Sequence, residues 1–257
     1  MYAQPVSSWH RRDERVSLAA MHALANPNRF LKLGDRIQPW ALGLCLICLA
    51  VGLPIALVFS PPDYQQGDTV RIMYIHVPAA WMSLFCYGVM AAGSASFLIW
   101  RQPVANMMAR ASAPVGAMFA GLCLLTGMLW GEPMWGTPWV WDARLTSMLV
   151  LFFLYLGYMA LGDAFDRPEQ GDKAAAILAL VGSVNLPIIK FSVDWWNSLH
   201  QPSIFSMAGI SLDSSMILPL FLMVGAFQTF YIVVVLMGVR AQVLTAKVRA
   251  ARLMRGA

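Results

Sequence analysis

Residues 214–239 read SSMILPLFLMVGAFQTFYIVVVLMGV, a stretch without a single Asp, Glu, Lys or Arg. A helix rises 1.5 Å per residue, so about 20 apolar residues cross the hydrocarbon layer of a bilayer. Equivalent charge-free stretches run from Ile37 to Pro62, Ile72 to Trp100, Ala111 to Gly131, Leu145 to Gly162 and Ala174 to Ile189. They predict six spans, near 40–60, 78–99, 113–130, 145–163, 174–193 and 215–238. Strand-type alternation, the mark of a membrane barrel, is absent. The expected fold is therefore all-α: a polytopic membrane protein with six transmembrane helices.

Composition agrees. Of the 257 residues 59% are hydrophobic and 12% charged, and mean hydropathy is +0.61. Soluble domains carry about 25% charged residues, so a water-soluble globule is excluded, as is a disordered chain. The whole chain, 1–257, reads as a single six-span membrane domain. No Walker A pattern is present, so no ATP hydrolysis is expected. No long polar segment exists to bind nucleic acid, and no internal repeat is visible. The first apolar run starts too late and runs too long for a cleaved signal peptide.

Orientation follows from Lys and Arg, which favour the cytoplasmic side. The tail 1–36 holds six of them, the tail 239–257 holds five, and the links after spans 2 and 4 hold Arg101, Arg110, Arg167 and Lys173. Fifteen of eighteen thus fall on one side, leaving Arg71, Arg144 and Lys190. Both termini are expected in the cytoplasm, with 61–77, 131–144 and 194–214 facing outward. Val16 to Ala25 is mildly amphipathic and reads either as a membrane-surface helix or as a solvated basic tail. The basic C-terminal tail can contact anionic membrane lipid, though orientation alone accounts for it. Lys190 reads as a snorkelling residue. Asn185 and Pro187 suggest a kink in span 5. Cys45, Cys48, Cys86 and Cys123 all fall within spans, so no outer disulfide is expected.

The outer face holds few polar groups. Of four histidines, His76 and His200 lie there, His76 just before Pro78, which is expected to open span 2. A lone interfacial His is usually a hydrogen-bonded boundary residue; two on one face form a candidate ligand pair. The second outer loop, from Trp130 to Arg144, carries Trp130, Trp135, Trp139 and Trp141. Trp195 and Trp196 add to the same side. An interfacial belt would be spread over both faces, whereas this is one dense cluster. Gly131, Pro133, Gly136 and Pro138 are expected to break the segment into turns. Thr137 and Pro138 would open a short interfacial helix, with Asp142 in its first turns and Trp139 and Trp141 on different faces.

Two imidazoles with no outer Cys fall short of a structural zinc site. Copper or iron alone needs no tryptophan shelf. Haem suits both features: two axial imidazoles for the iron and aromatic faces for the ring. Its propionates would be partnered by Arg71 and Arg144. The alternative for each arginine is an exposed ion pair with Asp68 or Asp142, contributing about 0–1 kcal/mol.

The pattern Trp130-Gly131-x-x-x-Trp135-Gly136-x-x-Trp139-Val140-Trp141-Asp142-Ala143-Arg144-Leu145-Thr146-Ser147 resembles the tryptophan-rich "WWD" segment of haem-handling membrane proteins of cytochrome c maturation. Within that group the chain resembles the CcmC family. The six-span layout, the Met73-to-Pro78 segment, the Trp195-to-Pro202 loop and the inner stretch from His22 to Phe30 all match, over most of residues 20–240. Pro138 departs from the pattern, where a larger or aromatic residue is expected. The resemblance implies residence in the bacterial inner membrane, with an exchangeable b-type haem held at the periplasmic face. His76 and His200 would be its axial iron ligands, and 130–147 its platform. It implies loading of haem onto the periplasmic chaperone CcmE, in company with CcmD and the ATP-driven pair CcmA and CcmB. The chemistry implied is presentation; no conventional active site is visible, and Glu132 and Asp142 are candidates only by proximity. Two other readings stay open: an electron-transfer subunit with a permanent b-type haem, and a permease subunit without haem.

Overall fold

A computed structural model of the chain describes residues 26–200, 205–206, 209–210 and 212–255. The amphipathic piece at 16–25, His10 and His22 lie outside them. Helix α1 (Pro27–Pro54) starts on Asn26, whose side chain accepts the backbone N–H groups of Asn28 and Arg29, with Pro27 in the first turn. It runs into a π-helical turn, Ile55–Phe59. A 3₁₀ turn, Asp68–Ile72, leads into α2 (Met73–Trp100). Arg101, in the left-handed region at φ 54°, ends α2, and Pro103 opens α3 (Pro103–Trp135). Helix α4 (Ala143–Asp163) is followed by α5 (Pro168–Gly182) and α6 (Asn185–Trp195), then by α7 (Ser214–Arg255). Phe205–Ser206 (β1) and Gly209–Ile210 (β2) form a two-residue antiparallel hairpin ahead of α7.

Six helical segments are long and apolar enough to cross a membrane: 27–59, 68–100, 103–135, 143–163, 168–195 and 214–255. Five of the expected spans fall inside these segments, and the first, 40–60, overruns its own by one residue, Ser60. The fifth is α5 plus α6, broken at Ser183 and Val184, where Asn185 Nδ2 ties the break to α4 by donating to the Ser147 carbonyl at 2.8 Å. The expected break is therefore present, and the Ser183 carbonyl, which Pro187 has no N–H to serve, accepts the Leu186 N–H at 3.1 Å. Lys190 is exposed on α6.

Helix α2 packs along α3, and α1 along α7. The main core joins Met82, Tyr87 and Met90 of α2 to Phe119 of α3 and to Leu151 and Tyr155 of α4. Tyr155 is fully buried, and its hydroxyl donates to the Ser83 carbonyl at 2.7 Å. It fits because Gly116 faces it: a Cβ there would lie 2.2 Å from the Tyr155 ring. Small residues bring membrane helices close in this way. The remaining apolar side chains point outward, as on α1, where Trp40 is 82% exposed and Ile47 62%. Hydrocarbon, not protein, is the solvent for such a face. At the end rich in Lys and Arg, Arg110 pairs with Asp163 (2.8 Å) and Asp172 (2.6 Å), and Arg240 of α7 with Asp35 of α1 (2.8 Å).

Three local expectations are corrected. No helix starts at Pro138: residues 136–142 are non-helical and Asp142 is the N-cap of α4, its carboxylate accepting the Leu145 N–H at 2.8 Å. Asp142 is the better cap because the apolar run follows it directly. Gly131 and Pro133 do not break the chain, since α3 continues to Trp135 and stops at Gly136, whose φ of 72° suits glycine. Trp130 and Trp135 are thus helical, while Trp139 and Trp141, expected on different faces, meet edge to face at 5.3 Å. Pro78 does not open span 2, because the 3₁₀ turn starts the helical segment at Asp68; His76 is already inside α2.

Candidate functional site

The outer end of α3 forms one wall. His76, in the first turn of α2, lies against it with Nδ1 3.0 Å from Thr126 Oγ1 and its ring edge-on to Trp130 at 5.7 Å. Gly127 makes room: a Cβ there would stand 3.1 Å from His76 Cε1. Thr126 Oγ1 also lies 2.7 Å from the Leu122 carbonyl, to which its one hydroxyl hydrogen is donated. Its lone pairs are then what it offers His76, so His76 Nδ1 is the donor. The proton sits on Nδ1 and the lone pair on Nε2.

His200 reaches the same place from the loop after α6. Its Nδ1 lies 2.9 Å from Asp142 Oδ2, and its ring is edge-on to Trp135 at 4.9 Å. Ser198 fixes the loop by donating to the same carboxylate oxygen and accepting the His200 backbone N–H at 3.1 Å. Asp142 is nearly buried, with 6% of its side chain exposed. Burial opposes its ionisation, but the Ser198 hydroxyl, the Leu145 N–H and His200 outweigh that and hold its carboxyl below the usual value. Burial likewise pushes the His200 imidazolium below its ordinary 6.5, against the pull of Asp142. A neutral imidazole donating from Nδ1 to a carboxylate again leaves the Nε2 lone pair free. No partner for His200 Nε2 is present among the described residues.

Arg144 lies within electrostatic range of both imidazoles. Its Nε donates to Ser192 Oγ at 3.2 Å, and Ser192 in turn bonds the Ile189 carbonyl. Among the described residues Arg144 forms no ion pair within 4 Å, and Asp142 and Asp194 are the carboxylates within electrostatic range of it. Arg71 braces the chain with its terminal nitrogens, while its Nε is buried with no hydrogen-bond partner among the described residues. It donates to the carbonyls of Leu57 (3.2 Å) and Ser60 (3.0 Å) and pairs with Asp68 (3.2 Å), pinning the π turn at the end of α1. Trp130 Nε1 donates to Gln66 Oε1 at 2.9 Å, which ties the first outer loop to α3. Trp139 Nε1 is buried with no partner among the described residues, and Trp141 is 75% exposed.

The structure therefore brings His76, His200, Trp130, Trp135, Asp142 and Arg144 together and gives Arg71 a bracing task. Thr126, Gly127, Ser192 and Ser198 were not singled out by sequence. Thr126 was the most accessible of them, standing one helical turn before Trp130 on the same face of α3. The groups brought together are two imidazole Nε2 atoms and the guanidinium of Arg144, beside the Trp130 and Trp135 rings. That set suits a metallated, anionic, aromatic disc better than a bare ion. Among the described residues no three His, Cys, Asp or Glu side chains are grouped to hold an ion.

Comparison with known proteins carries the same stamp. The family model for haem exporter protein C, CcmC, matches residues 20–254. The chain belongs to the CcmC family. It is 54% identical over 232 residues to the haem exporter protein C of Bradyrhizobium diazoefficiens, covering 90% of this chain and 88% of the relative. The Haemophilus influenzae protein of that name is 46% identical over 225 residues (87% and 92%), and the Escherichia coli one 48% over 200 (78% and 81%). Membership makes this a multi-pass membrane protein of the Ccm haem export system, associated with haem and acting in haem handling for cytochrome c maturation.

Proposed function

We propose that this CcmC-family chain holds an exchangeable b-type haem at the periplasmic face of the bacterial inner membrane and presents it to the chaperone CcmE for covalent loading. His76 and His200 are the axial ligands through Nε2. The tryptophans of 130–141 cover the ring, and Arg144 receives a propionate. CcmD and the pair CcmA and CcmB are the working partners, the latter supplying the ATP-driven step for which this chain has no motif. One observation carries the reading: both Nδ1 atoms are hydrogen-bonded, to Thr126 and to Asp142, which leaves Nε2 as the lone-pair nitrogen of each ring. Groups that orient a histidine in this way are the usual companions of metal-binding imidazoles. The chain's own work is to bind and to orient, since holding one reactant in register converts a bimolecular encounter into a positioned one.

Absorption spectroscopy of the purified full-length protein tests this. The wild type should take up added haemin with a six-coordinate, low-spin spectrum and yield it to CcmE. His76→Ala and His200→Ala should each lose that spectrum and the loaded chaperone. Unchanged spectra in both variants refute axial ligation. Full, non-exchanging occupancy with reversible redox identifies an electron-transfer cytochrome instead.

A further inference from the structure

Resting on the ligand reading above, the inference concerns how the two imidazoles differ. His200 donates its Nδ1–H to a carboxylate, at 2.9 Å from Asp142 Oδ2. His76 donates to a neutral hydroxyl, at 3.0 Å from Thr126 Oγ1. Asp142 is locked in place, because Leu145 N–H and Ser198 hold it as well. Thr126 remains a neutral acceptor, its hydrogen donated to the Leu122 carbonyl. A hydrogen bond to an ionised acceptor is roughly twice as strong as one between neutral groups. A carboxylate behind a histidine also raises its basicity as a ligand.

We propose that Asp142 and Thr126 make the two imidazoles unequal donors, so that His76 lets go of the iron first and His200 keeps it. In that step the His76 Nε2–iron dative bond breaks, its electron pair returns to Nε2, and no electron or proton is transferred. The iron then has one open position, on the side of α2, for an incoming donor from the chaperone. Release begins at the ligand fixed on a membrane helix, while the ligand on the loop retains the ring. Thr126 and Asp142 are positioning residues, each acting through its histidine.

The test uses full-length protein loaded with haemin, reduced, and bound to carbon monoxide. After photolysis, resonance Raman spectroscopy reads the iron–imidazole stretch of the ligand that stayed. Asp142→Ala should lower that frequency, because the retained imidazole loses its anionic partner, and Thr126→Val should leave it unchanged. Thr126→Val should also speed carbon monoxide binding about tenfold, the lower end of what removing an outer partner costs a metal ligand, and Thr126→Ser should restore the wild-type rate. A frequency that responds to Thr126→Val and not to Asp142→Ala overturns the proposal, since His76 would then be the retained ligand. If Asp142→Ala does not fold, the rate pair at position 126 decides: an unchanged rate in Thr126→Val overturns it. A wild type without a low-spin six-coordinate spectrum refutes the ligation itself and the inference with it, a failure distinct from the other two.

Discussion

Replacing Asp142 with asparagine alters almost no volume and should keep α4 intact, because Asn caps a helix about as well as Asp. One oxygen can still accept the Leu145 N–H, which lies at 2.8 Å. The other position becomes an NH₂ group facing His200 Nδ1, now at 2.9 Å from a carboxylate oxygen. Two donors then confront each other. Either the charge-assisted hydrogen bond is lost, or His200 moves its proton to Nε2 so that Nδ1 can accept, and the lone pair needed for iron disappears. A hydrogen bond to a charged group is worth about 1.5–3 kcal/mol, which converts to a roughly 10- to 150-fold loss in haemin affinity. Asp142→Ala behaves differently. It forfeits the cap, about 1 kcal/mol of helix stability, but leaves His200 free to choose its tautomer. The asparagine variant should therefore bind haemin more weakly than the alanine variant, while the alanine variant melts first. Haemin titration followed at the Soret band, beside thermal unfolding of the same detergent-solubilised proteins, reads both. Wild-type affinity in Asp142→Asn, or weaker binding by Asp142→Ala, would refute the tautomer argument.

Acidification should loosen the loop that carries His200. Burial disfavours its imidazolium, so the docked loop resists a proton that the released loop accepts, and stability falls as pH drops below 6.5. The depressed Asp142 carboxyl adds a second loss below 3.8. Hydrogen exchange of 192–200 should be faster at pH 5 than at pH 7, and equal protection would count against the pairing. Gly116→Ala should lower the melting temperature, since its Cβ would meet the Tyr155 ring at 2.2 Å, an overpacking that costs at least about 1–3 kcal/mol. Gly88→Ala, with nothing within 4 Å, is the matched control, and equal melting of the two would sink the packing claim. Arg71→Met should speed exchange at 57–60 by freeing the Leu57 and Ser60 carbonyls, yet leave haemin affinity unchanged. A large loss of affinity would show Arg71 to be a propionate partner after all.

The six spans were legible because hydrocarbon penalises charge so heavily that the gaps between Asp, Glu, Lys and Arg mark them. The outer edge was less legible, because there water can satisfy the backbone and the chain is helical or not at similar cost. Gly131 and Pro133 look like breaks but remain helical up to Gly136, where a left-handed residue is required. Pro78 looks like a helix start, but the turn begun at Asp68 arrives first. Sequence singled out His76, His200 and the tryptophans as unusual residue types in unusual places. It did not reveal Thr126 or Ser198, because an ordinary hydroxyl becomes informative only when a tertiary contact sets it behind an imidazole. Arg71 and Arg144 looked equivalent; what separates them is the π turn, whose freed carbonyls take one guanidinium and leave the other available.

The bond from Asn185 to Ser147 has a mechanical corollary. It welds the outer half of the broken fifth span onto α4, the helix that also bears Asp142 and Arg144. His76 rides on α2, which α4 also grips, since Tyr155 donates to the Ser83 carbonyl. Both histidine mounts thus hang on α4, so a small shift of that one helix would carry the loop of His200 and the helix of His76 together.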